Sequence, residues 1–158
     1  MKLTIVAAGR LKAGPEKDLL ADYQKRLKPA PAGLGPLSIT EIEARKGLEG
    51  DPLKAAEAAL FEAALPDGAA RIVLDERGKM LNSPQFAALL EGLRDQGCRE
   101  AAFVIGGADG HDAAFRDRAG HVISLGAMTL PHMLARAVLA EQLYRAATIL
   151  SGHPYHRA

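Results

Sequence analysis

The last five residues before the terminal alanine, His153-Pro154-Tyr155-His156-Arg157, pack the densest set of chemistry-bearing side chains in the chain. Histidine titrates near neutral pH, tyrosine is an acid or a donor, and arginine grips phosphate or a base edge. Together, His153, Tyr155 and His156 could help remove a proton from a nucleic-acid base. Three of the five histidines (His132, His153, His156) and Arg136, Arg145 and Arg157 all fall from Pro131 onward, against Glu141 alone. A second constellation has no charge to speak of. Ser124-Leu125-Gly126-Ala127-Met128-Thr129-Leu130-Pro131 is a compact run of small and apolar residues between a short apolar strand and a long helix, and it reads as a pocket wall. Gly106-Gly107-Ala108-Asp109-Gly110 is a third, where adjacent glycines let a ligand approach the backbone closely.

The elements that must position these groups alternate along the chain. Strands are expected at Lys2–Ala8, Leu37–Ile42, Arg71–Asp75, Glu100–Ile105 and His121–Ser124, as short apolar runs bounded by turn residues. Helices are expected from Pro15 to about Lys28, from an Asp51 cap to about Leu65, from a Ser83 cap to Gly97, over about Asp112–Ala119, and from Pro131 to Ser151. Two of the caps carry a following Pro at the first helical position. Such alternation predicts an α/β fold, a mostly parallel sheet flanked by helices, in a single domain over residues 1–158. A wheel of the last helix puts Ala135, Val138, Leu139, Leu143, Ala146, Ile149 and Leu150 on the sheet side. It leaves Glu141, Tyr144, Arg145 and Thr148 facing a partner or substrate.

In this arrangement three loops at strand ends converge: Leu74-Asp75 onward, Ile105 to Gly110, and Leu125 to Leu130. Ligands in open α/β sheets bind beyond the carboxyl ends of strands. Small, apolar walls with free main-chain groups suit an adenosine-like ligand. The glycine loop is neither G-x-G-x-x-G nor a P-loop, and no acidic ribose partner follows it, so a dinucleotide oxidoreductase is disfavoured. Two histidines with no Cys or carboxylate at ligand spacing make no metal signature. A single cysteine, Cys98, excludes an intrachain disulfide and fits a cytoplasmic protein. No stretch has the roughly 20 apolar residues of a membrane span. With 4% aromatic residues and a formal charge of +1, neither base stacking nor bulk attraction supports capture of DNA or naked single strands.

Leu125-Gly126-Ala127-Met128-Thr129-Leu130-Pro131-His132, the helix carrying Arg136 and Glu141-Gln142-Leu143-Tyr144-Arg145-Ala146, and the terminal His-Pro-Tyr-His-Arg together resemble the α/β-knot (SPOUT) methyltransferases. Within them they resemble the ribosomal RNA large subunit methyltransferase H family. The resemblance covers nearly the whole chain; over residues 29–68 it is one of helix and strand pattern only. Gly126 stands where a serine is usual. The resemblance implies a deep trefoil knot in the C-terminal part and S-adenosylmethionine as cofactor, held by Leu74, Gly106, Leu125, Gly126, Ala127, Met128, Thr129 and Leu130. It further implies a homodimer and methylation of N3 of a pseudouridine in 23S ribosomal RNA on the assembled ribosome. A ribosome-binding assembly factor that keeps the fold without the chemistry is the alternative, disfavoured because loop and tail are both present.

Overall fold

The computed structural model describes residues 1–157. Five strands run in chain order: β1 (Lys2–Ala8), β2 (Leu37–Ile42), β3 (Ala70–Met80), β4 (Glu100–Ile105) and β5 (His121–Ser124). They form one sheet in the spatial order β2-β1-β4-β3-β5. Every neighbouring pair is parallel, so all carboxyl ends open on one edge.

The period-two alternation of β1 decides which face each helix covers. Leu3, Ile5 and Ala7 point into a core shared with Phe103, Leu90 and Leu143. Helices α1 (Pro15–Leu27), α3 (Ser83–Asp95) and α5 (His132–Leu150) close that face. Val6 and Ala8 point the other way, into a second core with Phe61, Val104 and Phe115 under α2 (Gly50–Ala64) and α4 (Ala113–Asp117).

Four of the five expected strands have the expected bounds; β3 is longer. Residues Glu76–Lys79, beyond the expected strand end at Asp75, remain part of β3 because they meet β5 a second time: Ile123 is opposite both Leu74 and Lys79, with an irregularity between them. Gly78 permits this, since a Cβ there would run into the backbone of Ile123. Helix starts also shift by a residue or two. Asp51 lies inside α2, whose cap is Glu49. Asn82, not Ser83, caps α3, in a reciprocal capping box with Gln85. Pro131 caps α5 with an extended ψ of 140° instead of occupying its first turn.

The largest correction concerns α5. No residue from His132 to Leu150 is exposed, because α1 and α3 flank the helix as well as the sheet. Thr148, expected on an open face, is 2% exposed. Its hydroxyl donates to the Arg145 carbonyl at 2.7 Å.

Candidate functional site

A cavity of about 660 Å³ opens at the carboxyl ends of β3, β4 and β5, within the usual range for a cofactor or drug-sized ligand. Leu74, Gly106 and the whole run Leu125–Leu130 line it, with Asp75–Arg77, Gly107–His111, Arg116 and His132. The three loops expected to converge do so.

Each wall is fixed by a local device. The Gly110 N–H closes a turn on the Gly107 carbonyl at 3.1 Å. From α2, the Gly50 N–H donates to the Asp109 carboxylate at 2.9 Å. Glu57 of α2 lies against Gly107; burial pushes its carboxyl above the ordinary range, with the Gly107 N–H pulling the other way and Asp109 adding to the rise. On the third wall, Ser124 Oγ donates to the Gly126 carbonyl at 3.1 Å and accepts from the Gly126 N–H at 3.2 Å. A hydroxyl therefore serves this loop although position 126 carries none.

The cavity floor is set by His111. Its Nε2 lies 3.1 Å from the Gly106 N and 3.0 Å from the Leu74 carbonyl oxygen, just past the last β3–β4 pair, Leu74 opposite Ile105. The ring is 8% exposed and packs on Phe61 and Phe115. Burial lowers its pKa, against the pull of Asp75, so the ring is neutral at pH 7. A Cβ at Gly106 would come within 3.1 Å of this ring. The site therefore presents small, apolar walls over anchored main-chain groups, the donor set that suits a nucleoside-like ligand. Its rim carries charge of both signs: Lys54, Arg77 and Arg116 against Asp75, Glu76 and Asp109, with Arg116 3.6 Å from Asp75.

The tail is not at the cavity. Tyr155 sits beside the second half of α5, where its hydroxyl donates to Glu141 Oε1 at 3.1 Å and shares a 3.1 Å hydrogen bond with the Tyr23 hydroxyl. Its ring meets Tyr144 edge-on and lies under the Arg145 guanidinium. Burial first, then these bonds and the Glu141 charge, push its pKa well up. Tyr155 is thereby held as an anchor of the tail against α5. His153 is exposed, its Nδ1 accepting from the Tyr155 N–H at 3.1 Å. His156 Nδ1 lies 3.5 Å from Arg145 Nη1. Neither histidine lines the cavity.

Of the three arginines expected to contact RNA, Arg157 is exposed. Arg145 is held by Glu141, Nε to Oε1 at 2.9 Å. Arg136 is 0% exposed and cannot touch RNA. Its Nη2 donates to the carbonyls of Ala8 and Gly9 at 2.8 and 2.9 Å, and its Nη1 stands 3.5 Å from Glu41. A charge spent on two main-chain acceptors inside the fold fixes a loop.

Sequence reasoning overlooked Glu57 and His111. A carboxylate one turn before Phe61 on the apolar side of an alanine-rich helix was the available signal for the first. A histidine directly after a glycine loop was the signal for the second. Among the described residues no helix is long and apolar enough to cross a membrane.

Comparison with known proteins adds to this geometry. A family model described as "Predicted SPOUT methyltransferase" matches residues 1–156. The chain is 57% identical over 159 residues to a protein of Dinoroseobacter shibae named ribosomal RNA large subunit methyltransferase H, 99% of each chain being covered. Proteins of the same name from Paracoccus denitrificans and Paramagnetospirillum magneticum are 55% and 52% identical, again over 99% of both chains. Among solved structures, a methylase family protein from Neisseria gonorrhoeae superposes with a TM-score of 0.52 at 14% identity, covering 90% of this chain and 81% of that one; this likeness concerns the fold alone.

Proposed function

Because the chain belongs to the SPOUT methyltransferase family, we propose that it methylates N3 of a pseudouridine in 23S ribosomal RNA of the large ribosomal subunit, with S-adenosylmethionine as donor. The observation that carries the reading is the cavity, in which all eight residues expected to hold the cofactor stand on one wall or another. The names of the full-length relatives support the ribosomal substrate.

The residues present fit the cofactor. The volume is adequate, and the glycine positions leave space that a side chain at Gly106 would fill. Leu74, Gly106 and the 125–130 run would hold it. When bound there, it supplies an already activated methyl group, so no protein nucleophile is required. The chain's own tasks are then to hold the acceptor base in line and to exclude water. A base nitrogen that gains a methyl must also lose its proton. His153 and His156 are the groups assigned to that proton, with Arg157 beside them for the developing charge.

Within one chain those histidines lie along the other half of a 19-residue helix from the cavity, a helix about 28 Å long. The separation supports a homodimer in which the tail of a second copy completes each cavity. The double pairing of Ile123 with Leu74 and Lys79, which draws residues 75–78 around β5, supports a knotted C-terminal part. We take residues 1–158 as one cytoplasmic methyltransferase domain with no role for DNA.

The test is mass mapping of ribosomal RNA from cells lacking the protein, with and without its return. Loss and recovery of one methyl group on a pseudouridine is the expected result; an unchanged map rejects the reading. Replacing His153 or His156 by Ala should slow transfer about 100-fold with cofactor binding retained, if that ring handles the proton.

A further inference from the structure

Two of the three arginines expected to hold RNA are committed elsewhere, Arg136 inside the fold and Arg145 on Glu141. The cavity rim balances three cations with three acids. A polyanionic substrate therefore needs cations from another part of the same sheet edge, and the net charge of +1 requires that they be local.

The carboxyl ends of β1 and β2 supply them. Lys12 lies on the β1–α1 loop, Arg45 and Lys46 on the β2–α2 loop, and all three are exposed. Among the described residues none of the three is in an ion pair, whereas their neighbour Arg10 is paired with Glu43 at 3.2 Å. The β1–α1 loop is well fastened for a solvated surface, and the end of β2 that leads into the second loop is bonded to it. Arg136 Nη2 holds Ala8 and Gly9. The Gly9 N–H donates to the Ile42 carbonyl at 2.8 Å. Leu11 is buried, and its N–H donates to Glu41 at 2.7 Å.

The β1–α1 loop and the start of α2, which follows the second loop, are also joined to the cavity wall. Gly9 lies against the His132 ring, which lines the cavity, and Gly50 is bonded to Asp109 of the glycine loop. Since β4, β1 and β2 are successive neighbours, the loops extend about 10 Å from the cavity floor, two strand spacings. A buried arginine, with the desolvation it costs, thus fastens the root of the β1–α1 loop and the end of β2 beside the site.

We infer that Lys12, Arg45 and Lys46 form a shelf that holds the phosphodiester backbone of the substrate RNA beside the cavity, an inference that rests on the ribosomal RNA reading above. Arg136 serves RNA through that shelf as a positioning residue.

The experiment compares the full-length protein with the triple variant Lys12→Ala, Arg45→Ala, Lys46→Ala. A control triple removes the same charge from exposed positions near the opposite edge: Lys2→Ala, Lys28→Ala, Arg99→Ala. Affinity for large-subunit particles is measured against salt concentration, transfer is split into KM and kcat, and S-adenosylmethionine binding is followed by calorimetry. The shelf variant should bind particles about tenfold more weakly, with a log–log salt slope smaller by about 2 to 3, roughly one for each phosphate no longer neutralised. Its KM should rise while kcat, cofactor affinity and thermal midpoint hold. An affinity and slope equal to the parent's, or an equal loss in the control triple, overturns the shelf. A parent protein that binds the cofactor and no particle also overturns it. Shelf-dependent particle binding without any cofactor binding would instead keep the shelf and remove the methyltransfer reading.

Discussion

The two halves of α5 end in opposite kinds of surroundings. At its start, the Leu125–Leu130 run and the Gly106 loop enclose an open volume and present main-chain groups toward it. Along its second half, Tyr155, Tyr23, Glu141 and Arg145 satisfy one another, and aromatic rings fill the space between. Side chains of obvious chemical capacity are spent on architecture at one end, while small and aliphatic residues wall the cavity at the other. Reactive residue types therefore mark function only where their hydrogen-bonding capacity is still unspent.

The contrast breaks most sharply at Gly106. Gly106→Leu would fill the cavity against His111, and overpacking of about 3 kcal/mol corresponds to roughly 100-fold weaker cofactor binding; calorimetry should find this with the fold retained by circular dichroism. Retained affinity would mean that the cavity is not the cofactor site.

Next in size, Arg136→Ala strips Ala8 and Gly9 of their buried donor and should cost about 3 kcal/mol in urea unfolding. Arg145→Ala, which breaks a partly exposed pair, should cost only about 1 kcal/mol. Equal costs would erase the distinction between the two arginines.

Tyr155→Phe removes the hydroxyl that bridges Tyr23 and Glu141. It should lower stability by about 1 kcal/mol and leave the maximal transfer rate near that of the parent. A large fall in rate with unchanged stability would return Tyr155 to the reacting groups.

The smallest effect is one of pH. Burial raises the Glu57 carboxyl above its ordinary 4.5, so between that value and the raised one the fold binds a proton that the unfolded chain has released. Stability from this group is full below 4.5 and is lost as pH rises through the raised value. Glu57→Gln should therefore melt about 2 °C higher than the parent at pH 8, with the difference vanishing near pH 4. A variant that melts lower at pH 8 would show that the charge itself holds the Gly107 loop.

Much of the fold was legible because β1 and β4 are short, mostly apolar runs, and because β2 and β5 are brief stretches set off by turn residues. The extension of β3 was not, since Glu76–Lys79 joins the sheet only through contact with a strand more than 40 residues on. Periodicity places Arg136 and Thr148 around a helix axis, but cannot say that α1 and α3 cover the sides as well. The wall residues of the site were legible as small residues after strands. The fate of the tail was not, because Tyr23, the acceptor that ties down Tyr155, lies 132 positions earlier.

The shared partner at Ile123 has a consequence for how the molecule comes together. A strand of four residues brings little apolar area of its own, and it must seat beside two separated stretches of β3 at once. Its entropic debt is thus incurred before most of its contacts exist. Pairing of that edge, which also lines the cavity, therefore depends on both stretches of β3 being in place.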